Sequence, residues 1–181
     1  IYTELGMEAE QASCHNNLAA IQTMLGQYRE AIAGLQRCLE IYERLQLPSA
    51  VADTWSNLGA TYGDMGQYEV ALEHHSRALE VYRRLKLPRD EANCLYNHGV
   101  IYANLGLFSR AVSSYAAAVG LYESLKLPKD VADCRRAAGW AYERLEDTAR
   151  AAEMYGMARE VFERLNLPRE QAICAASLAG L

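Results

Sequence analysis

The chain repeats itself every forty residues. Leu-Pro stands at Leu47-Pro48, Leu87-Pro88, Leu127-Pro128 and Leu167-Pro168, each pair forty residues beyond the last. A fixed period in the range of about 20 to 50 residues marks stacked supersecondary units, each covering its neighbour's apolar face. Such a chain builds an extended surface, and its expected function is binding or scaffolding. Overlaid, the copies share columns that hardly change: Ala12, Ala52, Ala92, Ala132 and Ala172; Leu5, Leu45, Leu85, Leu125 and Leu165; Tyr2, Tyr42, Tyr82, Tyr122 and Phe162; Ala31, Ala71, Ala111 and Ala151. These are expected to be packing positions.

Within a repeat the apolar spacing is helical. Trp55, Leu58, Gly59, Tyr62 and Met65 share one face of a 3.6-residue period, and Ala71, His75, Ala78, Leu79, Tyr82 and Leu85 share another. Gly26, Gly66 and Gly106 end the first helix of a pair, where a left-handed C-cap costs glycine little. The second helix runs to the Leu-Pro turn, with proline suited to the first position of the next helix. The pattern predicts helices near 8–25, 28–46, 48–65, 68–86, 88–105, 108–126, 128–145, 148–166 and 168–180.

The stretch Trp55-x2-Leu58-Gly59-x2-Tyr62, followed by Gly66-x-Tyr68, Ala71 and Ala78, resembles a tetratricopeptide repeat. The period is longer than the usual one of about 34. In that it is similar to the repeats of kinesin light chains, of spindle-orientation adaptors and of bacterial signalling proteins. The resemblance implies an all-α fold, a right-handed α-solenoid of stacked antiparallel helix pairs. It would comprise about four and a half repeats in one domain over residues 1–181, starting near 8, 48, 88, 128 and 168 and partial at both ends. Ile1 aligns with Ile41 inside a helix, and Leu181 aligns with Thr61. A piece of a larger protein, or a unit continuing into a neighbour, is the expectation.

The formal net charge of −5 argues against a phosphate-backbone binder. Arg83-Arg84 and Arg135-Arg136 are basic pairs diluted by acidic neighbours. No apolar run approaches the ~18 residues of a membrane span. No nucleic acid, membrane or cofactor is therefore expected as a partner. The five cysteines form no closely paired spacing, which points to a reducing, cytoplasmic setting. Cys14, Cys94, Cys134 and Cys174 share one repeat column and read as small buried side chains. His74 and His75 point about 100° apart on a helix and cannot share a metal; His75, His15 and His98 stand in packing columns. Gly59-Ala-Thr-Tyr-Gly63-Asp-Met-Gly66 lacks the strand and the Gly-Lys-Ser/Thr of a phosphate loop. With no nucleophile, base and orienter grouped, no enzyme is expected.

Function is sought in the variable columns. Beside the core face of each first helix runs a polar stripe: Asp53, Ser56, Asn57, Ala60, Gly63 and Asp64, then Asn93, Tyr96, Asn97, Val100, Ala103 and Asn104. The resemblance assigns that stripe to a concave face that binds a protein or an extended peptide. Asn17, Asn57 and Asn97 form one column broken by Ala137. An asparagine amide suits a peptide backbone, and equally a neighbouring repeat. Tyr96 and Trp140 are not required by the repeat, and Arg136 and Arg144 lie one turn either side of Trp140, the composition of a binding hot spot. The competing reading has Trp140 filling space in an irregular repeat. In that fourth repeat Glu146-Asp147-Thr148-Ala149 replaces Gly66-Gln67-Tyr68-Glu69, leaving open whether helix 128–145 ends differently or runs on, with the lowest local stability expected there. A second function class is self-assembly: Ile1 and Tyr2 at one end and Leu178 and Leu181 at the other are expected to present apolar faces for head-to-tail homo-oligomerisation.

Overall fold

A computed structural model describes the backbone of residues 2–181 and the side chains of residues 7–181. The described residues form nine helices and no strand: α1 (Tyr2–Met24), α2 (Tyr28–Arg44), α3 (Pro48–Asp64), α4 (Tyr68–Leu85), α5 (Pro88–Asn104), α6 (Phe108–Ser124), α7 (Pro128–Arg144), α8 (Thr148–Arg164) and α9 (Pro168–Ala179). None is long and apolar enough to cross a membrane. The helices cluster into two units, residues 1–87 (α1–α4) and 88–181 (α5–α9). Within each unit every helix packs on its chain neighbours, and first helices also meet one another, α1 on α3 and α5 on α7.

The periodic columns explain that packing. Ala31, Ala71, Ala111 and Ala151 are fully buried, and Tyr42, Tyr82, Tyr122 and Phe162 of the second helices are buried with them. Each large side chain so buried contributes about 1.5–3 kcal/mol. Opposite the second helix, the first helix presents a residue whose size is matched to its partner. A Cβ built on Gly59 would lie 2.7 Å from His75, on Gly99 2.4 Å from Tyr115, and on Gly139 2.9 Å from Tyr155. In the first pair, where the opposing residue is Leu35, the position is filled by Ala19. Glycine is present where an aromatic ring must approach the helix backbone, and alanine where the smaller leucine does.

Helix ends repeat one hydrogen-bond pattern. Gly26, Gly66 and Gly106 have φ of 74°, 76° and 74°, and the Gln67 amide donates to the Tyr62 carbonyl at 2.9 Å. At the Leu-Pro turns the same left-handed position is held by Gln46, Lys86, Lys126 and Asn166, with φ of 53–56°. The next amide again reaches back, Leu47 to Tyr42 at 3.0 Å and Leu127 to Tyr122 at 3.0 Å. The periodicity locates these turns, but nothing in it marks their non-glycine left-handed residues.

Several expectations are corrected. A break near residue 8 is absent, and α1 runs on through it, because Glu8 stands in the proline column and keeps the amide that Pro48 lacks. Among the described side chains of the Leu45 column, Leu85 and Leu165 are exposed at the ends of their helices and Leu45 and Leu125 are half-buried, so none is core; the side chain of Leu5 lies outside the described residues. Cys14 and His15 are exposed whereas Cys94, Cys134 and Cys174 are buried. Cys174 packs against Ala158, Val161 and Phe162 of the preceding second helix, and no such helix precedes α1 among the described residues. The irregular fourth repeat ends its first helix where the others do. Helix α7 stops at Arg144, Glu146 takes a φ of 60°, and the Asp147 amide donates to Tyr142 at 3.0 Å. The lost glycine is offset by a gained cap: Asp147 Oδ1 accepts from the Arg150 amide at 3.0 Å, while its other oxygen pairs with the Arg150 side chain.

Gly99→Ala destabilises unit 2 by about 1–3 kcal/mol through overpacking against Tyr115. Combined with Tyr115→Leu it costs less than the sum of the two single changes, a positive coupling readable in a urea double-mutant cycle; strict additivity would refute the size match. At the fourth repeat, Asp147→Ala costs about 1 kcal/mol as a lost helix cap, whereas Glu146→Gly stabilises by about 0.5–1 kcal/mol by relieving a left-handed non-glycine residue. Thermal unfolding of the two variants should move in opposite directions.

Candidate functional site

Unit 2 carries a groove of about 300 Å³ that draws on its three first helices, with Asn104 from α5, Arg136 and Trp140 from α7, and Ile173 and Ser177 from α9. Tyr115 of α6 and Tyr155 of α8 also line it. Residues four apart share a helix face, which is why Arg136 and Trp140 meet the groove together, as do Ile173 and Ser177. Trp140 is 44% exposed and meets Phe108 in a T-shaped contact, with centroids 5.6 Å apart and planes at 77°. The Arg144 guanidinium stands 5.8 Å from the Phe108 ring centroid, so the two side chains flank one phenyl ring.

Arg136 is the one charged residue lining this groove. Its Nη2 lies 3.6 Å from Asp133 Oδ1, and its Nε is buried without a hydrogen-bond partner among the described residues. An acceptor brought by a ligand would meet the accessible part of this side chain, which is 33% exposed, rather than the enclosed Nε. The phenols around it stay protonated at neutral pH. Burial pushes the Tyr115 and Tyr96 hydroxyls up, and takes that of Tyr155 to about 12, where its donation to Glu143 at 3.0 Å also raises it.

The remaining stripe residues divide by what their side chains already hold. Asp53 accepts from the Tyr82 hydroxyl at 2.7 Å, and Asn93 accepts from the Tyr122 hydroxyl at 2.6 Å, so both tie a first helix to its second. In the fourth repeat Phe162 has no hydroxyl to donate. There Asp133 instead takes Lys129 at 2.7 Å and stands beside Arg136. Asn57 Nδ2 donates to Asn16 Oδ1 at 3.0 Å, a bond to the adjoining repeat that competes with any use by a peptide. Asn17 is exposed and Asn97 half-buried. Asp64 is exposed, its carbonyl 3.4 Å from the Tyr28 hydroxyl. Tyr96 is half-buried, its ring 5.6 Å from that of Tyr115, because it bridges two clusters of the unit 2 core rather than projecting from them. Asn17, Asp53, Asn57 and Asp64 belong to unit 1, the others to unit 2.

At the ends, Ile1 and the side chain of Tyr2 lie outside the described residues. Leu178 is half-buried and Leu181 exposed. Sequence reasoning named neither Ile173 nor Ser177 for the groove. Both stand in stripe columns, those of Asp53 and Asn57, and extending the stripe into the last repeat would have found them. It also read the column of His75 as packing alone, whereas two members of that column, Tyr115 and Tyr155, line the groove.

Comparison with known proteins follows the same repeat. The tetratricopeptide repeat family profile matches residues 10–84 and again 50–124, more than half of the chain. No curated protein matches it. Among solved structures it is similar to BtubC (BKLC) from P. vanneervenii, at 18% identity and a TM-score of 0.74 over 98% of this chain and 87% of that one. It is also similar to a Signal Transduction ATPase with Numerous Domains with a tetratricopeptide repeat sensor from Pyrococcus horikoshii, at 19% identity and a TM-score of 0.86. That match covers 94% of this chain but 27% of the other. Aspartyl phosphate phosphatase F from Bacillus subtilis matches at 16% identity and a TM-score of 0.84, over 88% of this chain and 42% of that one. At such identities the likeness is one of fold. With its family profile matched over most of the repeats and its helix pairs packed in sequence order, the chain belongs to the tetratricopeptide repeat family.

Proposed function

We propose that the chain is a non-enzymatic scaffold that takes an extended segment of a partner protein on its first-helix face, with the groove of unit 2 as the principal contact. Tetratricopeptide arrays are protein-interaction scaffolds, and the family supplies the general function. The observation that carries the specific reading is Arg136. Its partly exposed side chain stands in an otherwise uncharged groove beside an exposed tryptophan. That combination accepts a segment offering an acceptor group next to an apolar side chain. Asn104 and Ser177 add polar contacts that fix register.

Selecting a displayed library of random peptides on the wild-type chain, then measuring the affinity of enriched peptides for variants, tests this reading. Trp140→Ala weakens them by about 2 kcal/mol or more, roughly thirtyfold, while thermal unfolding moves little. Asn97→Ala costs about 0.5–1.5 kcal/mol if its amide pairs with the peptide backbone. Peptides whose affinity survives both Trp140→Ala and Arg136→Ala would refute the groove.

A second reading, head-to-tail self-association, draws on α1. Leu18, Ile21 and Met24 are exposed on that helix and Leu25 just beyond its end, Met24 by 78%, whereas Leu58 in the Leu18 column is buried. Such a face favours association with a second copy. Light scattering over a concentration series then shows mass rising for the wild type and constant for Leu18→Asp with Ile21→Asp. A wild type that stays monomeric throughout removes this reading.

A further inference from the structure

One pocket recurs in both units, away from the first-helix groove. In unit 1 a cavity of about 410 Å³ is lined by Glu43, Gln46, Leu47, Pro48, Val51, Trp55, Val81 and Arg84, with Tyr42 as a further wall that has no counterpart in unit 2. In unit 2 a cavity of about 400 Å³ is lined by Glu123, Lys126, Leu127, Pro128, Val131, Arg135, Val161 and Arg164, each standing eighty residues beyond its counterpart. Both volumes fall in the range of about 300–1,000 Å³ typical of ligand sites. Each pocket sits at a Leu-Pro turn, with a floor of leucine, proline and two valines. None of its lining residues is shared with the groove.

The two copies differ in charge. The unit 1 pocket sets one cation, Arg84, against one carboxylate, Glu43. The unit 2 pocket sets Lys126, Arg135 and Arg164 against Glu123 alone. Arg135 Nη2 pairs with Glu123 Oε1 at 2.6 Å, which leaves Lys126 and Arg164, both exposed, as a cationic rim over an apolar floor. That local excess stands in a chain whose net charge is −5. The basic pair Arg135-Arg136 acquires a division of labour here. Consecutive helical residues point about 100° apart, so Arg136 serves the groove while Arg135 serves this pocket.

We propose that the Leu-Pro pocket of unit 2 is a second docking site, independent of the groove, for a partner segment that carries a bulky aliphatic side chain next to carboxylates. The aliphatic group fills the space over Leu127, Pro128, Val131 and Val161, and the carboxylates meet Lys126 and Arg164. Burial of the apolar group supplies affinity, and the rim charges select the sign of the partner.

The test uses a fluorescein-labelled peptide of about eight residues in which leucine alternates with glutamate, followed by anisotropy, with a leucine–lysine peptide as control. The acidic peptide binds saturably and the basic one does not. Lys126→Glu with Arg164→Glu, both at exposed positions, weakens binding about tenfold or more, and so does raising ionic strength from about 0.05 to about 0.5 M. Arg136→Ala with Trp140→Ala leaves it within about twofold, since additivity holds for sites with no shared partners. Glu43→Gln with Gln46→Lys gives the unit 1 pocket the same excess of positive charge, and raises the stoichiometry from one peptide to two. Absence of saturable binding, equal binding of the basic peptide, loss of binding in the groove variant, or an unchanged stoichiometry would overturn the proposal. So would capture of the chain by phosphatidylserine vesicles through Lys126 and Arg164 with no binding of the peptide.

Discussion

Every helix pair here depends on one contact, the approach of a large second-helix side chain to a first-helix backbone with little or no side chain of its own. Leu35 meets Ala19, His75 meets Gly59, Tyr115 meets Gly99 and Tyr155 meets Gly139. Protein interiors are packed too densely to absorb even one extra methyl at such a place. The contact therefore sets the separation within a pair, and with it the depth to which the flanking alanines are buried. In unit 2 it has a further effect: Tyr115 and Tyr155, held against Gly99 and Gly139, also line the groove.

A second set of contacts shows how a repeat releases a residue for other use. The tyrosine hydroxyls of the second helices hold Asp53 and Asn93. Where the tyrosine becomes Phe162, the equivalent Asp133 instead pairs with Lys129 and stands beside Arg136, the charged residue of the groove. One missing oxygen atom thus changes what a stripe position does. The loss of the cap glycine at Glu146 is likewise offset locally, by the Asp147 cap, and leaves the helix boundary in register.

The same register distributes binding chemistry over more than one surface. A column that faces the groove and a column that faces a Leu-Pro turn are adjacent in sequence, so neighbouring residues such as Arg135 and Arg136 line different cavities. Because the turn pocket recurs at eighty residues with its floor intact and its rim changed, the array can vary specificity at one site without disturbing the core that forms it.

The period by itself determined the helix boundaries to within a few residues everywhere but at the start of α1, and the family, because stacking one unit on the next demands the same small and large residues at the same places in each. Gly26, Gly66 and Gly106 were legible as caps for the same reason. What a polar side chain does was decided only in three dimensions. Asp53 and Asn93 read as surface groups but are held by tyrosines across the pair, and Tyr96 reads as an exposed exception but bridges core clusters. Whether Cys14 is buried like Cys174 depends on the helix next to it rather than on its column. Periodicity records which face of a helix a residue occupies; its partner, and so its function, is set by which neighbouring helix covers that face.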